Sequence, residues 1–195
     1  MSSSLTVVRQ QVLQQGQDAA LQRWPANRPF HEDLGRWKVA WLKPRHEKAF
    51  AGELQALDFP YYLPLAQRTH RRPDNGKARK ALVPLFPAYV AFAWIGSTTP
   101  LYQTGRIIRI LPVPDQDRFV ADLEAIQRVL GSGWPIEVHP GLRPGVTVRI
   151  LRGPLAGLTG PIERLGDHCR LWVHVEMFNR SISVQLPGEV LMAQG

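Results

Sequence analysis

Cysteine is almost missing from this chain. Cys169 is the only one among 195 residues, which excludes an intramolecular disulfide framework and a cysteine-built zinc site and agrees with a reducing cytoplasm. Long apolar runs are missing too, since no stretch approaches the roughly 20 residues that a membrane-spanning helix needs. Ser2 to Ser4 lead into a Gln-rich segment without the apolar core of a signal peptide. The expectation is a soluble cytoplasmic protein without membrane contact. Acidic side chains are the scarcer charge, 16 against 24 Lys and Arg, and the net +8 favours an anionic partner such as nucleic acid or ribonucleoprotein. Residues 37–130 hold 14 basic and 8 acidic side chains, six of the eight net charges, whereas residues 131–195 carry only +1.

Catalytic patterns are lacking as well. His31, His46, His70, His139, His168 and His174 are scattered without metal-ligand spacing, and no nucleophile sits in a recognisable elbow or beside an identifiable base. The Gly-rich run from Gly153 to Gly160 is not followed by Gly-Lys-Ser/Thr, so it is not a phosphate-cradling loop. A dedicated hydrolase or transferase is therefore disfavoured; no enzyme activity, cofactor or metal is expected.

What is present is a sequence of short patterned elements. Residues 1–36 form an extension with Leu5, Val8, Val12 and Leu13 at approximate helical spacing, then Trp24-Pro25, Pro29 and Gly35, read as a weak helix and a flexible tether. Trp37 to Leu42 reads as a strand, residues 45–57 as an amphipathic helix, Phe59 to Leu65 as a second strand, and Leu82 to Trp94 as a third with Pro84 and Pro87 at an edge or bulge. Between these two strands Arg68, Arg71, Arg72, Lys77, Arg79 and Lys80 surround the turn signal Pro73-Asp74-Asn75-Gly76, which predicts a basic hairpin tip or long loop. A short helix within Ser97 to Thr104, a strand over Ile107 to Val113 and a helix over Asp115 to Leu130 complete an α/β sandwich with a mostly antiparallel sheet. Residues 131–142, rich in Gly and Pro, read as a linker, and four or five short strands over residues 143–195 read as a small five-stranded barrel. The fold class is α+β.

Two of these segments resemble known modules. Trp37, Glu47 early in the first helix, and above all Leu85-Phe86-Pro87-Ala88-Tyr89-Val90 resemble the NGN domain of NusG-like transcription elongation and antitermination factors, over residues 37–130. Alanine stands at 88 where the family usually has glycine, and Leu85 is similar to the specialised, RfaH-type paralogues. Pro144-Gly145, alternating Val146, Val148 and Ile150, Gly153 to Gly157, Gly160 and Phe178-Asn179-Arg180 resemble the family's KOW barrel, over residues 143–195, with Asn179 replacing the usual glycine. Gly157 and Gly160 are read as permitting tight turns.

The resemblance implies a monomeric, non-enzymatic factor that binds RNA polymerase and suppresses pausing or termination. Phe86, Pro87 and Tyr89 would contact the clamp helices of the largest catalytic subunit, and Thr98 and Thr99 the gate loop of the second large subunit. A core role for Phe86 and Tyr89 and a turn role for Thr98 and Thr99 are the structural alternatives. Lys43 and Thr104 match positions that touch non-template DNA; Arg45, His46 and Arg106, with Arg71, Arg72, Lys77 and Arg79 of the hairpin, would add nonspecific attraction for nucleic acid. Leu155, Leu158 and Phe178 would meet a small-subunit ribosomal protein or the termination factor Rho. Residues 37–130 are expected to suffice for polymerase binding. The β-branched alternation and Gly153, Pro154, Gly157, Gly160 and Pro161 predict that the carboxy-terminal module is β-structured, not a helical hairpin. The rival reading is an RNA-binding, ribosome-associated KOW protein, against which the near-neutral carboxy-terminal segment counts.

Overall fold

Trp37, Val39 and Trp41 alternate with Lys38, Ala40 and Leu42 along strand β2 (Arg36–Leu42), and this period of two gives the first sheet its two faces. In the computed structural model, which describes residues 22–71, 78–141, 145–165, 168–187 and 192–194, that sheet has five antiparallel strands in the order β1-β3-β6-β2-β7. Its other members are β1 (Arg23–Trp24), β3 (Tyr61–Tyr62), β6 (Tyr89–Trp94) and β7 (Ile107–Pro112). Helix α1 (Glu47–Ala56) covers one face, where Phe50, Ala51 and Leu54 pack on Ala40, Leu42, Val90 and Phe92. The Phe50 and Phe92 rings meet edge to face at 6.4 Å. Each such large side chain, once buried, contributes about 1.5–3 kcal/mol, enough to fix the sheet register because a slip of one residue would turn this whole set outward.

Proline explains where strand boundaries depart from the sequence reading. Pro64 separates β3 from β4 (Leu65–Arg71), so of the expected second strand only Tyr61–Tyr62 joins the sheet, and β4 runs on from Leu65 into the segment read as a hairpin tip or loop. The expected third strand splits likewise into β5 (Ala78–Pro84) and β6 around the Leu85-Phe86-Pro87-Ala88 turn. Among the described residues strands β4 and β5 pair only with each other, from Leu65 opposite Pro84 to Arg71 opposite Ala78, and form a separate ribbon. The turn Pro73–Gly76, Arg72 and Lys77 lie outside the described residues, as do the side chains of Arg71 and Arg79 and the helix expected near residues 5–13.

Residues 22–36 are not a tether. Strand β1 pairs with β3, Arg23 opposite Tyr62 and Trp24 opposite Tyr61, and a 3-10 turn at Phe30–Glu32 brings Phe30 into the core at 2% exposure. Phe30 packs on Trp37 and Tyr62, with ring centroids 5.7 and 5.1 Å away. Arg23 and Asp33, both buried, form an ion pair at 2.5 Å. The Arg23 guanidinium also donates to the carbonyls of Tyr61 and Arg28 and lies over the Phe30 ring, 4.4 Å from its centroid. Burial pushes the Asp33 carboxyl up and Arg23 down, and each partner's charge opposes that shift in the other.

Contacts divide the chain into two compact units, Met1–Pro112 and Val113–Gly195. The division falls before the long helix α3 (Gln116–Gly131) rather than after it. The other helix, α2 (Thr99–Tyr102), belongs to the first unit. The second unit contains α3 and a six-stranded antiparallel sheet, order β13-β9-β10-β11-β12-β8. Strands β9 (Val146–Ile150), β10 (Thr159–Leu165), β11 (His168–Val175), β12 (Arg180–Leu186) and β13 (Met192–Gln194) match the expected pattern. Strand β8 (Ile136–Pro140) does not: this part of the expected linker pairs with β12, Val138 opposite Ile182. Its alternating Ile136 and Val138 resist the flexibility that the surrounding Gly and Pro suggest.

Gly157 has φ +85 and makes the turn the sequence suggests. Gly160 is required for a different reason, because a Cβ there would overlap the Trp172 carbonyl oxygen of the neighbouring strand. Asn179 adopts the left-handed region, φ 45.

Candidate interaction face

On the side of the first sheet opposite α1, cross-strand pairing aligns side chains into rows. One row runs through all five strands, Arg23, Tyr62, Ala91, Val39 and Leu111. Next to it Trp41 stands opposite Tyr89 on β6 and Arg109 on β7. Phe30 and the Arg23–Asp33 pair cover the end of this face that holds Trp37 and Tyr62. At the other end Trp41 is 39% exposed, Tyr89 half-buried, and Arg109 and Pro87 exposed. That end is a shallow aromatic patch with a cation beside it.

Phe86 is 3% exposed, so it does not offer its ring at this surface and instead anchors the turn. Its place as the aromatic beside Tyr89 is taken by Trp41, which the period-2 alternation of β2 puts on the same face. Ala88 shapes the turn: it is left-handed at φ +69, and its carbonyl accepts from the Leu42 N–H at 2.8 Å. The Glu47 carboxylate, buried in the first turn of α1, accepts the Ala88 N–H at 2.6 Å. An alanine in this region costs about 1–2 kcal/mol, which glycine would relieve at about 0.5–1 kcal/mol of extra unfolded-chain entropy. An Ala88→Gly protein is thus expected to be up to about 1 kcal/mol more stable in denaturant titration; a lower stability would show that the alanine is not strained.

At the same end of the sheet the structure brings Lys43, His46 and Arg106 together. Lys43 N–H donates to the Arg106 carbonyl at 2.9 Å, and the Arg106 guanidinium contacts His46 Nδ1 at 2.7 Å. Arg106 Nε also donates to Glu53 Oε1 at 2.7 Å, so Glu53, which sequence reasoning overlooked, offsets part of the cation's charge. Lys43 and Arg45 are exposed. Thr104 serves the local backbone, its hydroxyl donating to the Leu101 carbonyl at 2.8 Å and accepting the Arg106 N–H at 3.3 Å. Thr99 does likewise, its N–H bonded to Ser97 Oγ at 3.2 Å, while Thr98 is the half-buried residue before α2. In the hairpin, Arg68 and Lys80 are exposed.

In the second unit Leu155, Leu158 and Phe178 are buried, at 0%, 6% and 7% exposure. The Phe178 ring lies against Phe119 of α3, centroids 6.2 Å apart, and Arg128 of the same helix donates to the Ala156 carbonyl at 3.1 Å. These three residues are thus packed inside the second unit rather than exposed on it, with α3 against Phe178.

Asp122, on the buried stripe of α3, lines a cavity of about 160 Å³ with Val113, Pro114, Asp115, Arg118, Phe119, Glu176 and Met177. Burial pushes its carboxyl up to about 6, against the opposing effects of Arg118 and a hydrogen bond from the Glu176 backbone. A carboxyl raised above its unfolded value stabilises the fold less once ionised. The stability Asp122 confers is full at acid pH and is lost between about pH 4, where the unfolded carboxyl ionises, and pH 6. An Asp122→Asn protein is expected to lack this fall when melting temperature is followed across that window. An unchanged pH slope would contradict the burial argument.

Among the described residues no group of three His, Cys, Asp or Glu is placed to hold a metal ion, and no helix is long and apolar enough to cross a membrane. No family model matches the chain. It is similar to the transcription termination/antitermination protein NusG of Pseudomonas aeruginosa, with 31% identity over 120 residues, spanning 57% of this chain and 68% of that protein.

Proposed function

Because the chain belongs to the NusG family of transcription termination/antitermination proteins, we propose that it docks on transcribing RNA polymerase through the open end of the first sheet. Trp41, Pro87 and Tyr89 are the apolar anchors on the clamp helices of the largest catalytic subunit, and Arg109 meets acidic residues at their edge. The observation that carries this reading is the row Trp41–Tyr89–Arg109, which sets two aromatic rings and a cation side by side across three paired strands. Large rings with few rotamers lose little entropy on docking, which suits an amphipathic helical partner.

Lys43, Arg45, His46 and Arg106, at the same end, attract the exposed non-template strand, and Thr98 and Thr99 face the gate loop of the second large subunit. With Arg106 shared between Glu53 and His46, this contact is with phosphate rather than a sequence. The basic ribbon adds charge for nucleic acid or an acidic polymerase surface. Suppression of pausing follows from higher affinity for the elongating, clamp-closed state, with no cofactor and no turnover. The second unit recruits a ribosomal small-subunit protein or Rho through the side of Leu155, Leu158 and Phe178, and a partner that takes up Phe178 must first displace α3. Binding of the full chain to core RNA polymerase, set beside ribosomes and free RNA, tests the assignment. Binding to ribosomes or RNA without binding to polymerase would replace it with the ribosome-associated reading.

A further inference from the structure

The only residue of α1 whose buried side chain is a carboxylate is Glu47, and it spends that carboxylate on a single backbone amide of the turn before β6. Burying a carboxylate is costly unless it is hydrogen-bonded, and a charged acceptor on a backbone N–H is among the stronger of such bonds. The helix N-terminus adds to its stability there. The amide it holds belongs to Ala88, the left-handed residue between Pro87 and Tyr89. From the other side the Leu42 N–H holds the Ala88 carbonyl, and Leu42 follows Trp41 directly. A single residue, held by its N–H and its carbonyl, thus ties together the helix, the strand bearing Trp41 and the strand beginning at Tyr89.

We infer that Glu47 is a positioning residue for polymerase docking: by pinning Ala88 it fixes Pro87 and Tyr89 beside Trp41 in the arrangement that binds. This inference rests on the docking reading above. Without the carboxylate, the strained residue is free to leave the left-handed region, and the two side chains flanking it lose their common orientation while the hydrophobic core beneath them stays closed. Docking then requires the turn to be ordered at the moment of binding, and affinity falls by the fraction of molecules in the competent form. The side chain makes no contact with the partner, since it is 5% exposed. Its effect must therefore pass through Pro87 and Tyr89.

The test compares Glu47→Ala, Glu47→Gln, Tyr89→Ala and the Glu47→Ala/Tyr89→Ala double variant of the full chain, by affinity for purified core RNA polymerase and by hydrogen exchange at the Ala88 amide. Glu47→Ala should speed that exchange and weaken binding about tenfold, as loss of a hydrogen bond to a charged group does. Glu47→Gln, whose amide oxygen still accepts the N–H, should recover most of the loss. The double variant should bind little worse than Tyr89→Ala alone, because both changes act on one contact. Should Glu47→Ala fail to fold, Glu47→Met, of similar length but with no oxygen to accept the N–H, carries the same comparison. Unchanged polymerase affinity for a folded Glu47→Ala protein, beside a clear loss in Tyr89→Ala, would overturn the inference and leave the docking reading standing. No loss in either would overturn both. Losses that simply add in the double variant would reduce Glu47 to a general structural role.

Discussion

An Asp33→Ala protein is expected to lose about 3–5 kcal/mol of stability, because the change leaves the Arg23 guanidinium buried without its counter-ion. Asp33 is wholly enclosed, Arg23 is 5% exposed, and the environment around them is made of aromatic rings and backbone carbonyls. Water cannot replace the lost partner there without opening the segment. Arg23→Ala should cost a similar amount, whereas removing both together, as Arg23→Met/Asp33→Leu, should cost much less than the sum, since an apolar pair fills the same site without an orphaned charge. Denaturant titration of the four proteins measures this directly. The same pair predicts that a fragment beginning at residue 37 is unstable: it exposes Trp37 and Tyr62 and strips strand β1 from its partner. A fragment beginning near residue 22 retains these contacts and should melt higher. Equal melting temperatures for the two fragments would show that the segment is the tether that composition suggests.

The second large effect concerns docking. Trp41→Ala/Tyr89→Ala should weaken binding to core RNA polymerase by about thirtyfold or more, the effect of about 2 kcal/mol expected for loss of central aromatic anchors. Phe86→Ala should behave differently. Phe86 is buried, so its truncation acts first on stability through a cavity of the kind that costs about 3–5 kcal/mol and on binding only as far as the turn is disturbed. Melting temperature and affinity measured on the same preparations separate the two. A Trp41→Ala/Tyr89→Ala protein that binds normally would move the contact to another face.

The elements whose patterns are local were legible in the sequence. Helix α1 follows from Phe50 and Leu54, one helical turn apart on its buried face, and helix α3 begins where Asp115 accepts the Arg118 N–H at 2.9 Å. The strands over residues 146–186 follow from β-branched alternation, and no α-helix interrupts them among the described residues. Long-range pairing was not legible. Arg23 and Asp33 look like ordinary surface charges in a segment broken by Pro25 and Pro29, and nothing within it announces that Tyr61 and Tyr62 lie waiting for another strand. Trp41 could have been placed beside Tyr89 from the period of β2 alone, but the register that sets them opposite each other depends on the whole sheet. The burial of Phe178, likewise, depends on which unit α3 joins, and the amphipathic pattern of a helix shows that one face is covered without showing by what.

The measurement that tests the central claim most directly is hydrogen–deuterium exchange on the full chain with and without purified core RNA polymerase. Docking through the open end of the first sheet predicts added protection in peptides covering residues 37–43 and 85–94, with β7 near Arg109 following and the strands of the second unit little changed. Protection confined to residues 146–186, or none anywhere at concentrations that saturate a NusG-type contact, would contradict it.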